Sequence, residues 1–261
     1  MNILVAVKPV PDHDALVSAA EGGGVEIEDR WIINFFDEIA VEQAVRLKQS
    51  ASAHVTAISV ASGRGASRCT GVLRKALAMG ADRIVMVQDA ALAEADGLGI
   101  ARVIAAFAKK EGMRLILLGK SALDDEQGLV GPALSQIASM PYVTGVIGLE
   151  LKENESLRLS RLVEGGDELV EVGLPAAVGV AKGLCEPGVP KVMKVMKASK
   201  AKPETLDLAG LGLEAQDVAP LTKIISYTAS PARPPATIIK WEGKETASKL
   251  AQIIREMAGG G

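Results

Sequence analysis

The stretch Arg74-Lys75-Ala76-Leu77-Ala78-Met79-Gly80-Ala81-Asp82-Arg83-Ile84-Val85-Met86-Val87 decides the fold. A helical run ends on Gly80, the residue that takes a left-handed C-cap without a Cβ clash. The four residues from Ile84 are apolar in succession and rich in β-branching, the mark of a short strand buried on both faces. Helix closing onto doubly buried strand is half of a β-α-β unit, and the chain repeats it. Strand candidates at 3–7, 55–60, 84–87 and 115–118 alternate with helical patterns at 38–49, 65–79, 98–110 and 126–138. In the first of these helices Ile39, Val41, Ala44, Val45 and Leu47 form the apolar stripe, with Glu42, Gln43, Arg46 and Lys48 left for solvent. The alternation predicts an α/β fold, doubly wound, on a mostly parallel sheet with right-handed crossovers.

Composition agrees and narrows the function. The chain has 261 residues, 48% of them hydrophobic, 23% charged and only 3% aromatic. Val, Ile, Leu and Ala must therefore build the core, and stacking platforms for single-stranded nucleic acid are not available. A net charge of −3 and a pI near 5.6 leave no basic footprint for nucleic acid or an anionic membrane. Two cysteines, Cys69 and Cys185, with two histidines, His13 and His54, do not make a structural zinc cluster. Nothing marks the two thiols as a secreted disulfide. The opening run Met1 to Val7 is strand-length and too short for a signal sequence, and no apolar stretch reaches membrane-spanning length. A cytoplasmic protein is expected.

After Met140-Pro141 the rhythm changes. Strands are expected at 143–149, 157–162, 168–172 and 176–180, with Glu164-Gly165-Gly166-Asp167 as a hairpin turn, giving an antiparallel or mixed edge to the same sheet. Glu186-Pro187-Gly188-Val189-Pro190 has loop chemistry, and Met193, Val195 and Met196 follow among lysines 191, 194, 197, 200 and 202. Residues 203–235 are broken by Pro and Gly and read as a long extended arm, with Pro231 to Pro235 as a stiff linker. Residues 244–257 form one amphipathic helix, with Ala247, Leu250, Ala251, Ile254 and Met257 on one face and Gly259 as its stop. So short a helix needs a surface to lie on, which suggests a partner subunit.

Candidate site residues cluster where parallel strands end, since carboxyl ends of strands border the ligand crevice of such sheets. The first strand runs into Lys8-Pro9-Val10-Pro11-Asp12-His13, where His13 could meet a cofactor ring or simply be solvated. Asn34-Phe35-Phe36-Asp37 precedes the first long helix, with Asp37 as its N-cap, one Phe packed as a staple and the other free for a ring or partner. The small turn Ala61-Ser62-Gly63-Arg64-Gly65 could hold a phosphate on backbone N–H groups or serve only close packing. The sharper candidate is Gly119-Lys120-Ser121-Ala122-Leu123-Asp124-Asp125-Glu126-Gln127-Gly128. Its acids could complement a helix dipole; alternatively, its small residues leave room for a ligand whose phosphate Lys120 balances. No nucleophile stands paired with a base. Cys69, inside a helix, reads as a packed thiol.

These landmarks together resemble the electron transfer flavoprotein β subunit over essentially the whole chain. They are Val7-Lys8, the run Ile33 to Lys48 (INFFDEIAVEQAVRLK), Arg74 to Arg83, Leu117 to Asp125, Arg161 to Glu168, Leu174-Pro175-Ala176 and Glu186-Pro187 to Lys197-Ala198. The resemblance implies a Rossmann-like, adenine-nucleotide-binding domain over 1–200, with a dehydrogenase-docking loop at about 184–199. It implies an extended arm and terminal helix over 201–261 that wrap an α subunit. It further implies a non-catalytic carrier that takes electrons from flavoprotein dehydrogenases of the acyl-CoA dehydrogenase type and passes them to a membrane quinone oxidoreductase. The α subunit would hold most of the FAD, and this chain would complete the flavin environment.

By the same resemblance His13 and Phe36, with Asn34 beside them, stand near the flavin, although Phe35 replaces the family's Pro. The nucleotide pocket maps to Ala6, Ala61, Ser62, Gly63 and Arg64, and to Gly119, Ser121, Ala122, Asp124, Asp125, Gln127, Gly128, Leu129, Val130 and Gly131. Docking maps to Val192, flanked by Met193 and Met196. Asp125 favours AMP in the pocket. Val130-Gly131-Pro132 looks like the loop of electron-bifurcating members, which hold a second FAD there and oxidise NADH, and Leu129 replaces a Gln usual in both kinds. A stand-alone adenine-nucleotide-binding protein or hydrolase is the alternative from another class.

Overall fold

The computed structural model describes residues 1–20, 24–61, 65–153, 155–228, 231, 233–241 and 243–258. The chain divides into two units, Met1–Ser226 and Tyr227–Gly261. In the first, chain order runs β1 (Asn2–Ala6), β2 (Pro9–Pro11), β3 (Val17–Ala19), β4 (Val25–Ile27), β5 (Trp31–Ile33), α1 (Phe35–Ala51), β6 (His54–Ala61), α2 (Ala66–Met79), β7 (Arg83–Gln88), α3 (Gly97–Lys110), β8 (Leu115–Gly119) and α4 (Val130–Ala138). It continues through β9 (Tyr142–Leu151), β10 (Ser156–Val163), β11 (Gly166–Gly173), β12 (Ala176–Val180), α5 (Val192–Ser199) and β13 (Glu204–Leu206). Nine strands form one sheet in the order β11-β10-β9-β12-β8-β1-β6-β7-β13. The seven from β9 to β13 are parallel, and β10 and β11 extend the β9 edge as an antiparallel meander. No helix among the described residues is long and apolar enough to cross a membrane.

Strand alternation builds both sides of the sheet. Ile3 and Val5 of β1 join Val55 and Ala57 of β6 beneath α1 and α2. Leu4 and Ile58 point the other way, into a second core with Phe107 of α3 and Leu134 of α4. Burial on both faces explains the unbroken apolar runs read from the sequence. The chain enters the sheet at β1, moves outward through β6 and β7, then crosses back to place β8 on β1's other side. The gap between the ends of β1 and β8 is therefore the point where the winding reverses.

The segment that decided the fold behaves as expected. α2 ends at Gly80, whose φ of +137° disfavours any L side chain. Its N–H and that of Ala81 both donate to the Ala76 carbonyl at 3.1 Å. Asp82 then accepts from the Val55 N–H at 3.0 Å and from the Lys48 ammonium, tying the start of β6 to α1. Burial works against that carboxylate, but Lys48 and the Val55 N–H outweigh it and hold its pKa below the ordinary value.

Several expectations are corrected. α4 begins at Val130 rather than Glu126, because Glu126 (φ +50°) and Gly128 (φ +60°) take left-handed backbone that ends any helix before it. The segment read as a docking loop contains the two-turn helix α5. The arm read from residue 203 is partly folded: β13 adds to the β7 edge, and Arg83 forks onto the Glu204 carboxylate with two bonds of 2.9 Å. Two single 3-10 turns follow, with Leu208, Leu211 and Val218 buried against α3. The core unit thus runs to Ser226, past the boundary drawn at residue 200. The short pairs β2–β5 and β3–β4 were not read at all. Cys69 and Cys185 are free thiols, Cys69 on the buried face of α2. In the second unit α6 (Lys244–Ala258) has no buried side chain, and Leu250, Ile254 and Met257 are exposed.

A Cβ at Gly80 would stand 3.0 Å from Cγ1 of Val45, besides straining the backbone. Gly80→Ala is therefore expected to destabilise the chain by about 1–3 kcal/mol. Urea unfolding checks this; an unchanged midpoint would contradict it.

Candidate functional site

The crevice is built around the first turn of α1. Asp37 is buried, and its two carboxylate oxygens serve the ends of two different strands. Oδ2 accepts from the Lys8 N–H just beyond β1 at 2.8 Å, and Oδ1 accepts from the Gly119 N–H that ends β8 at 3.0 Å. Asn34, 1% exposed, does the same for the next loop. Its Nδ2 donates to the Ser121 carbonyl at 2.9 Å and its Oδ1 accepts from the Leu123 N–H at 3.1 Å. Asn34 is thus the N-cap by position, but its side chain caps no helix N–H, and Asp37 lies inside the first turn rather than at the cap. Buried backbone polar groups need partners, and here one helical turn supplies them to two strand ends.

Close approach makes Gly119 obligatory. A Cβ there would meet Oδ1 of Asp37 at 2.5 Å and Cβ of Phe36 at 2.7 Å. Phe36 meets Phe35 edge-on, ring centroids 5.4 Å apart, and the exposed Lys120 ammonium stands 5.2 Å from its ring. Phe35 packs on the core, so the staple expectation falls to it.

The loop cation facing the acids is Lys8 rather than Lys120. Its ammonium reaches Asp124 Oδ1 at 2.7 Å and Asp125 Oδ2 at 2.9 Å. Burial lowers the Lys8 pKa, but Asp124 and then Asp125 outweigh it and leave it above its ordinary value. The acids therefore do not complement a helix dipole: they lie in turns ahead of α4, whose first turn carries no acid and no side-chain cap.

The structure gathers most of the expected site residues at this end of the sheet. Ala6 closes β1, Ala61 closes β6 and is buried, and Gly119 closes β8. Ser121, Ala122, Asp124, Asp125, Gln127, Gly128 and Leu129 form the loop into α4, and Val130 and Gly131 open that helix. The Gln127 N–H donates to Asp125 Oδ1 at 3.1 Å, so the loop holds itself as well. His13 stands exposed in the turn after β2. Ser62, Gly63 and Arg64 lie outside the described residues. The sequence reading missed the parts played by Lys8 and Asp37; the only signal was their place at a strand end and a helix start.

A second feature is away from the crevice. Val192, Met193 and Met196 on α5 are 74%, 83% and 64% exposed, and Val189 before them is also exposed. Ala198 alone of this helix is buried, with Arg74 of α2 donating to the Ala201 carbonyl just past it at 2.9 Å. The helix is anchored at one end and presents its apolar side chains outward.

These features define a doubly wound α/β protein whose winding reverses between β1 and β8, where the first turn of α1 joins the two strand ends. Residues 23–211 match the electron transfer flavoprotein domain. The chain is 32% identical to the electron transfer flavoprotein subunit beta of Bacillus subtilis, over 99% of each chain. It is 34% identical to the human subunit beta over 98% of each chain, and 30% to the probable subunit beta of Saccharomyces cerevisiae over 97% of each. The chain belongs to the electron transfer flavoprotein β-subunit family.

Burial pushes the Asp37 carboxyl up to about 7, against the pull of the Asn34 amide and the Lys8 and Gly119 N–H groups. Its unfolded value is 3.8, so between these values the folded chain binds the proton more tightly. The stability this group contributes is full below pH 3.8 and is lost as pH rises through about 7. Relative to Asp37→Asn, the native chain is expected to lose stability across that window in urea unfolding. A pH-independent difference would contradict the assignment.

Proposed function

We propose that the chain is the β subunit of a heterodimeric electron transfer flavoprotein, a carrier rather than a catalyst. It takes electrons from flavoprotein dehydrogenases of the acyl-CoA dehydrogenase type and delivers them to a membrane quinone oxidoreductase, working in the cytoplasm. The observation that carries this reading is the match to β subunits over nearly their full length, arm and terminal helix included. A stand-alone hydrolase would need a paired nucleophile and base, which the crevice residues do not offer.

The crevice suits AMP as a structural ligand. Ser121 and Ala122 bring only small side chains to the loop after β8, and the uncapped first turn of α4 offers N–H groups of the kind that take a phosphate. These residues and the loop to Gly131 would hold the nucleotide. A second FAD in the same crevice, in an NADH-oxidising bifurcating complex, is favoured by Val130-Gly131-Pro132 alone. The main FAD, held largely by the α subunit, supplies the redox chemistry when bound. Phe36 and His13 are this chain's contributions to its surroundings.

The exposed residues of α5 fit the dehydrogenase contact. Isolated apolar side chains projecting from an anchored helix suit a partner's pocket. With the αβ complex assembled, reduction of its flavin by a substrate-reduced acyl-CoA dehydrogenase tests the whole reading; a complex that holds FAD yet is never reduced by such a donor would defeat it. Val192→Ala is expected to lower kcat/KM for that transfer about tenfold, or ~1.4 kcal/mol, with FAD content unaltered. Unchanged transfer kinetics would remove Val192 from the contact.

A further inference from the structure

Every polar atom of Lys8 is engaged. Its N–H donates to Asp37 at 2.8 Å, its carbonyl accepts from the Asn34 N–H at 2.9 Å, and its ammonium holds Asp124 and Asp125 at 2.7 and 2.9 Å. The two acids lie 116 and 117 residues further along the chain, in the loop between β8 and α4. Among the described residues no other cation pairs with either acid. The neighbouring Lys120 turns to the face of Phe36 instead.

This geometry makes a specific demand of the loop. Two adjacent carboxylates stand in the loop that leads into α4, whose first turn carries no side-chain cap, and a phosphate brought to that loop meets their repulsion. One ammonium between them removes most of that charge and pins the loop in the same contact. We propose that Lys8 is the positioning and charge-balancing residue of the nucleotide crevice, its bond to Asp124 and Asp125 allowing a phosphate-bearing ligand to enter beside two carboxylates. The proposal rests on the adenine-nucleotide reading above and adds to it the group that makes an acidic loop compatible with an anion. The backbone bonds of Lys8 survive any substitution except Pro, so its side-chain charge can be tested separately from the strand end.

The test is the affinity of the complete αβ complex for AMP by equilibrium dialysis, with circular dichroism as the check on folding. Lys8→Met is expected to weaken AMP binding about tenfold or more, and Lys8→Arg to keep it within about threefold of native. Lys8→Met combined with Asp124→Asn and Asp125→Asn is expected to regain most of the loss, because the repulsion goes with the acids. Lys8→Gln, which keeps the backbone bonds and most of the side-chain length, is expected to show the same loss and covers the case in which Lys8→Met fails to fold. Native-like binding by Lys8→Met overturns the proposal. So does a triple variant as weak as Lys8→Met, which would mean a purely structural tether. Failure of the native complex to bind AMP would instead sink the nucleotide reading itself.

Discussion

One buried carboxylate holds the two halves of the sheet's ligand end together. In a doubly wound sheet the strands on either side of the reversal diverge into separate loops, and their last N–H groups point into the gap. Asp37 accepts one from the end of β1 and one from the end of β8. The cost of burying it is visible in its raised pKa, and four nearby donors or charges oppose that cost. Because the oxygen lies where a side chain on residue 119 would project, the sequence must have Gly there. Because α1 brings Asn34 along three residues earlier, the loop after Gly119 is fixed too. The crevice floor, the loop path and the start of α1 follow from that single constraint.

What could be read from residues alone divides along a physical line. Runs such as Ile84 to Val87 and Leu115 to Leu118 are apolar because both faces are covered, and that property is local, so the strands and the doubly wound class were legible. Helix α1 was legible for the same reason, through its stripe of Ile39, Val41, Ala44 and Leu47. The start of α4 was not, because Glu126, an ordinary helix former, takes left-handed backbone that no local pattern announces. Edge strand β13 was hidden for a similar reason: three residues of little periodicity are held by Arg83, a partner 121 positions back. At the site, loop positions were found from strand ends, whereas the ion pair of Lys8 with Asp124 and Asp125 was not foreseen. Sequence spacing gave no reason to prefer Lys8.

Two kinds of surface coexist on one scaffold. The crevice is held by buried polar groups whose partners are all within the core unit, which suits a site that keeps its shape. Helix α5 is the reverse, pinned at Ala198 and at Ala201 beyond the helix end while Val192, Met193 and Met196 face out. A carrier needs both: a fixed environment for what it holds, and an apolar contact that can be made and released. In the second unit Leu250, Ile254 and Met257 of α6 are exposed as well, and the αβ assembly proposed above would give them a surface to cover.

The most direct test of this account is the nucleotide and flavin content of the chain purified with its α partner, released by denaturation and identified by mass. The account predicts one FAD and one AMP per αβ pair. Two FAD and no AMP would contradict it, and would assign the crevice bordered by Asp124 and Asp125 to a second redox cofactor.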